Sequence, residues 1–217
     1  MLQKLVIWGA SGHALVVADA IRSRAEYEIV GFIDDMHPER RGIEFCGASI
    51  LGGLEQLDIL HRHGVTNLIF GFGDCQARLK LAGIVREKGF HLVTAIHPNA
   101  VVATDAVVGS GTVIAAGAVV NSAARIGGNV IINTAATVDH ECIIEDGAHI
   151  CPGVHLAGRV HIGRGAWVGI GSTVVEKIKI GTGARIGAGA LILHDIPDFM
   201  LAYGVPAKLI REIRINN

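Results

Sequence analysis

Residues 100–120 read AVVATDAVVGSGTVIAAGAVV, and the step they set runs on to Ile192. Every sixth residue from Val102 onward is Val108, Ile114, Val120, Ile126, Ile132, Val138, Ile144, Ile150, Leu156, Ile162, Val168, Val174, Ile180, Ile186 and Ile192. All are aliphatic. Two residues before each of them the side chain is usually small, as at Ala106, Thr112, Ala118, Ala124, Ala136 and Ala148. Two inward positions in every six fit short strands separated by turns, the hexad pattern of a parallel β-helix. With three hexads to a coil, residues 18 apart stack at roughly 4.8 Å, and the segment makes about five coils with no insertion.

Upstream of residue 98 the period is different. Leu5 to Trp8, Glu28 to Ile33, Leu68 to Phe72 and Leu92 to Ile96 read as strands, and Ala14 to Ile21, Leu54 to Leu60 and Ala77 to Arg86 carry helical patterns. Strands alternating with helices imply parallel pairing, because parallel neighbours need crossover connections. The expected fold is an α/β N-terminal Rossmann-like domain over 1–97 followed by a left-handed parallel β-helix of hexapeptide repeats over 98–197. Residues 198–217 are expected to form a C-terminal tail.

Composition narrows the function classes. The chain has 217 residues, 29 of them Gly, with 18% charged residues and a net charge of −1. Such a balance offers no basic stripe for nucleic acid and no polybasic patch for a membrane surface. The run from Ala106 to Ala124 has no charge, but Gly109, Ser110, Gly111, Thr112, Gly117, Asn121 and Ser122 interrupt it, so membrane insertion is not expected. Cys46, Cys75, Cys142 and Cys151 show no C-x-x-C pairing and suit free thiols in a cytoplasmic protein. With Leu5, Val6 and Ile7 already read as strand, no secretory leader is expected ahead of the fold.

Two places carry chemistry. Gly9-Ala10-Ser11-Gly12-His13-Ala14 follows the first strand and opens the first helix, where exposed backbone N–H groups favour phosphate. Asp34 and Asp35 end the second strand and Gly71 and Gly73 the third, all at one edge of the sheet. A tight turn with solvated carboxylates is the alternative to a nucleotide crevice. In the repeat, His140 lies two residues past the inward Val138, at a turn, with Ser122 and Gly158 one coil below and above. Small neighbours leave a notch over the imidazole, and Glu141 beside it is placed to hold its tautomer. Surface decoration is the plain alternative for a histidine in a turn. His149, His155 and His161 fall on successive faces at a spacing of six, so no metal site is expected within one chain. Trp167 stands one coil above His149 on the outward phase.

With both halves read, the whole chain resembles the hexapeptide-repeat sugar acyltransferases of bacterial glycan pathways, in particular the PglD-type nucleotide-sugar N-acetyltransferases, to which the NeuD-type sialic acid O-acetyltransferases are related. The resemblance rests on Trp8 to His13, the pair Asp34-Asp35, Gly73, His140-Glu141-Cys142, Ala157-Gly158 and Gly204 to Lys208. It implies that the N-terminal domain binds a nucleotide-sugar acceptor at Ser11, Gly12, His13, Asp34, Asp35 and Gly73. It implies that His140 is the general base and that Glu141 tunes it. It further implies a homotrimer with acetyl-CoA in a groove between adjacent β-helices, contacted at His149, Ile170 and Ala188.

The activity this implies is transfer of an acetyl group from acetyl-CoA to the amino group of a nucleotide-linked 4-amino-deoxy sugar. O-acetylation of sialic acid or another polysaccharide sugar is the alternative with the same base. A non-acetylating β-helix, hydratase or scaffold, is a third class, and the Gly-Val-Pro-Ala-Lys stretch argues against it.

Overall fold

The computed structural model describes residues 2–213. The chain divides into two compact units at Pro98/Asn99.

In the first unit, β1 (Gln3–Trp8) pairs in parallel with both β2 (Tyr27–Ile33) and, across the sheet, β5 (Asn67–Phe70). A small antiparallel pair, β3 (Glu44–Phe45) and β4 (Ala48–Gly52), extends the β2 edge, and β6 (His91–Leu92) extends the β5 edge, giving the order β3-β4-β2-β1-β5-β6. The crossovers run through α1 (Gly12–Arg24), α2 (Gln56–Arg62) and α3 (Cys75–Glu87). Leu5, Val6 and Ile7 are fully buried, as strands covered on both faces must be, and Val6, Ile33, Leu57, Leu68, Phe70 and Val85 share one core cluster. Asp74 starts α3 by accepting the Ala77 N–H at 2.7 Å.

The second unit is the coil that the hexads predict. Sixteen strands of two residues each run from Val101–Val102 to Leu191–Ile192, and each aliphatic residue of the six-step series is the second residue of its strand. These residues are half-buried in the first coil, at Val102 and Val108, and 3% exposed or less from Ile114 onward. Strands 18 residues apart pair in parallel, for example Val119↔Thr137 and Thr137↔His155, so three ladders form the three faces of the prism. The ladder bonds leave no backbone group along the faces needing a distant partner, which suits a core too narrow for aromatic side chains.

The stretch expected as a C-terminal tail holds two strands among its described residues. Met200–Gly204 pairs in parallel with the Arg185–Ile186 strand and folds back on Ala207–Glu212 as an antiparallel hairpin. The hairpin breaks the six-residue step, which is why the repeat pattern does not announce it.

Candidate functional site

The parallel order brings the C-terminal ends of β1, β2 and β5 to one edge of the sheet. Backbone bonds fix their approach: Gly9 N–H donates to Ile33 O at 2.8 Å, Gly71 N–H to Trp8 O at 2.7 Å and Asp34 N–H to Gly52 O at 2.8 Å. Gly9 needs to be glycine twice over. Its φ is +125°, and a Cβ there would lie 2.9 Å from the Gly71 backbone. The N-terminus of α1 opens beside it. The Ser11 hydroxyl makes no capping bond, no acidic side chain occupies the first turn, and a Cβ on Gly12 would meet open space. A helix start with its N–H groups and positive dipole end left to the surroundings favours an anion.

Both expected acids lie on this rim, each with structural partners. Asp34 is buried; it accepts the Met36 and His37 N–H groups and pairs with Arg40 at 2.8 Å. Asp35 accepts the Trp8 indole N–H and the Leu54 N–H, both at 2.6 Å. Arg40, which the sequence reading passed over, also donates to Ala10 O at 2.8 Å and so ties the phosphate-type turn to the end of β2. His13 follows Gly12 in α1, and Gly73 lies between β5 and α3. Burial, and next the charge of Arg78, pull His13 down to about 4, so its ring is uncharged at neutral pH.

His140 occupies the corner after the Thr137–Val138 strand, half exposed. Its backbone N–H donates to Asp139 Oδ1 at 2.7 Å, and the same oxygen accepts Asn121 Nδ2 at 2.9 Å from one coil below. These bonds hold the Asp139 carboxyl below its usual range. The ring Nδ1–H donates to Glu141 Oε2 at 3.0 Å, which assigns the lone pair to Nε2. Above that nitrogen lies Gly158, where a Cβ would sit 2.5 Å from Nε2. The bond from His140, and after it Arg159, lowers the Glu141 carboxyl, so the glutamate stays ionised beside the ring. Cys142 is fully buried, with its thiol pushed up to about 11 by burial, and donates to Ala157 O at 3.2 Å. A thiol held protonated is no nucleophile.

The remaining expected contacts fall elsewhere on the prism. His149 points outward from its strand yet is only 7% exposed, because Asn133 Nδ2 lies 3.2 Å from its Nε2 and Trp167 covers it edge to face at 6.5 Å. Ile170 and Ala188 are exposed and stack one coil apart, with Gly189 N–H donating to Ile170 O at 2.8 Å, at the corner that follows the His149 face. His140 sits at the next corner round the prism, so one chain does not bring the expected base and these residues together. His149, His155 and His161 stand on three different faces, as their spacing requires.

Residues 4–85 match the PglD N-terminal domain, and residues 159–194 match the bacterial transferase hexapeptide (six repeats). GDP-perosamine N-acetyltransferase from Caulobacter crescentus, solved in complex with CoA and GDP-perosamine, is 36% identical, covering 98% of this chain and 99% of that one at a TM-score of 0.92. The acetyltransferase domain of PglB from Neisseria gonorrhoeae, solved in complex with acetyl coenzyme A, is also 36% identical, covering 97% and 100% at a TM-score of 0.90. The chain belongs to the PglD-type hexapeptide-repeat sugar acyltransferases. WeeI from Acinetobacter baumannii, 22% identical at a TM-score of 0.74 over 96% of this chain and 100% of that one, shares the fold.

For a PglD-type acyltransferase, three groups at these sites lay beyond the sequence reading. Arg40 joins Asp34 to the distant Ala10 O, and the buried Arg78 bonds Phe72 O and Cys75 Sγ around the start of α3, in loops that carry no repeat to announce them. Arg159 is different: it lies 18 residues after Glu141, one coil up, and pairs with it at 3.0 Å. The coil spacing stacks the two positions, and the turn geometry turns both side chains along the corner.

Proposed function

We propose that the protein transfers the acetyl group of acetyl-CoA to the amino group of a nucleotide-linked 4-amino-deoxy sugar in bacterial glycan biosynthesis. The observation that carries this reading is the His140 corner: Glu141 accepts the hydrogen bond from Nδ1–H, and Nε2 faces the notch that Gly158 leaves. The relatives solved with CoA, GDP-perosamine and acetyl coenzyme A supply the substrate classes. The crevice beside α1 takes the nucleotide diphosphate at Ser11, Gly12 and His13, with Asp34, Asp35 and Gly73 on its rim.

The amine nitrogen attacks the thioester carbonyl carbon while His140 Nε2 accepts the ammonium proton, and a backbone N–H steadies the oxyanion. Collapse of the tetrahedral adduct breaks the C–S bond, and the imidazolium returns its proton to the leaving sulfur. The products are the N-acetyl sugar and CoA. No covalent acetyl-enzyme is needed, in line with the protonated Cys142.

A homotrimer completes the site. His140 and the pair Ile170 and Ala188 stand at different corners of one chain, and Val101, Val107 and Ile170 leave more than half of their surface exposed. A second copy seated along the prism covers such residues and brings the base of one chain to the CoA contacts of another. Among the described residues no helix is long and apolar enough to cross a membrane. None of the four cysteines forms a disulfide, as suits a reducing cytoplasm.

The test is CoA release from acetyl-CoA with GDP-, UDP- and dTDP-linked 4-amino sugars and with free sialic acid, for the wild type and for His140→Ala. A nucleotide-linked amine supports release in the wild type, and the substitution lowers kcat on the order of 10²–10⁴-fold with CoA affinity unchanged. Release with sialic acid alone moves the protein to O-acetylation, and near-wild-type turnover in the variant removes His140 as the base.

A further inference from the structure

The three corners of the prism are not built alike. Two of them place glycine at most left-handed turn positions: Gly111, Gly147, Gly165 and Gly183 with Asn129, and Gly117, Gly153, Gly171 and Gly189 with Ala135. The His140 corner has none. Its left-handed positions are Ala123, Glu141, Arg159 and Lys177, with φ of 58°, 58°, 62° and 62°. A Cβ in this region crowds the following carbonyl, so glycine is the easy choice and a longer side chain is retained at a conformational cost. Costs of this kind collect where side chains are needed for function.

The geometry shows what two of these side chains do. Arg159 N–H donates to His140 O at 2.9 Å, which seats the arginine one coil above the histidine. Its Nε then donates to Glu141 Oε2 at 3.0 Å, the same oxygen that accepts the His140 Nδ1–H at 3.0 Å. A glutamate half exposed to water and held by the imidazole alone is free to swing. The second bond, charge-assisted and anchored through the arginine backbone, fixes it.

We propose that Arg159 is a positioning residue for acetyl transfer, holding the Glu141 carboxylate where it aligns the His140 ring and offsetting part of the negative charge that the ring feels. The proposal rests on His140 being the base. The other charged groups along the corner and its flanking turns have their own partners. Asp139 accepts from Asn121 and from the His140 backbone, Asp105 from the Ser122 hydroxyl, and Glu176 lies 3.6 Å from Lys177. Changing Arg159 therefore alters one charge at Glu141 and leaves this set in place.

The experiment compares kcat, KM and the pH profile for wild type, Arg159→Met, Arg159→Lys, Glu141→Gln, the Glu141→Gln/Arg159→Met double variant and His140→Ala, with thermal melts of each. Arg159→Met lowers kcat about 5- to 30-fold with both KM values within about twofold, the scale of a misaligned catalytic group. Its acid limb in kcat/KM moves up by about half a pH unit, because a carboxylate relieved of its guanidinium favours the imidazolium more strongly. Arg159→Lys keeps the limb in place and recovers part of kcat. In the Glu141→Gln background the methionine substitution costs nothing further, since its effect runs through the carboxylate. Wild-type kinetics in Arg159→Met overturn the proposal, as does a fully additive loss in the double variant. A rise in KM with kcat intact also overturns it, making Arg159 a ligand contact instead. If His140→Ala is itself active, the assignment of the base fails first; if His140→Ala is inactive and Arg159→Met behaves as wild type, only the role of Arg159 falls.

Discussion

At the turn after β1, glycine is present so that two backbones can meet; at the corner of His140, glycine is missing from the position it fills at most steps of the other two corners. In the first unit the functional surface is made by subtraction. Gly9 and Gly71 remove side chains until strand ends approach closely, and what is left to meet a ligand is backbone N–H. In the coil it is made by addition, with Glu141 and Arg159 kept in a backbone region that disfavours them. The contrast follows from the chemistry: a diphosphate is held well by a ring of N–H donors, whereas proton transfer needs an imidazole and a carboxylate in register. Gly158 shows that the coil also subtracts, where the His140 ring needs room.

The largest way to break this contrast is at Gly9. Gly9→Ala puts a Cβ 2.9 Å from the Gly71 backbone at a φ of +125°, and the first unit should lose roughly 2–4 kcal/mol of stability. Urea denaturation followed by tryptophan fluorescence reads this through Trp8, and a wild-type midpoint would show that the strand ends have slack. Gly158→Ala comes next and works in the opposite sense. The methyl group displaces the half-exposed His140 ring from Glu141 without straining a core, so kcat falls about 10- to 100-fold while the melting temperature stays within a few degrees. A variant as active as wild type would mean that the notch is not used.

The smallest effect is the pH response of the crevice. His13 sits near 4 in the fold against an ordinary 6.5, so between those values the unfolded chain binds the extra proton and stability rises with pH. The contribution is complete above about pH 6.5 and is lost as pH falls toward 4, with roughly 1–2 kcal/mol of it lost between pH 7 and pH 5. Comparing urea midpoints at pH 7 and pH 5 for the wild type and His13→Gln checks it: the drop should be smaller in the variant, and an equal drop would place the response elsewhere.

The six-residue series shows how much of the fold is readable in the chain. One aliphatic position per strand, repeated without a gap, leaves the backbone a single way to bury all of them, and the structure buries each from Ile114 onward. His140 was readable for a related reason, since a fixed coil of 18 residues tells which side chains stack over it. The same arithmetic reaches Arg159 from Glu141, but only when the turn is known to point both side chains along the corner. What lay outside any pattern depends on contacts between distant segments. The bonds of Asp34 to Arg40 and of Asp35 to Trp8 and Leu54 join segments that share no period, and Asn133, 16 residues from His149, adds to the cover that Trp167 gives from one coil above. The hairpin at 200–212 looked like a tail because a strand that turns back obeys neither the six-residue step nor the alternation upstream.

That hairpin bears on the behaviour of the molecule in bulk. A stack of identical coils ends in a row of unsatisfied N–H and C=O groups, and each end is a template for the start of another stack. Here the last strand of one face runs antiparallel and carries exposed Lys208, Arg211 and Glu212, so a coil added on that side meets the wrong strand direction and a line of charge. Thirteen residues thus close one of the three ladders to a further parallel strand.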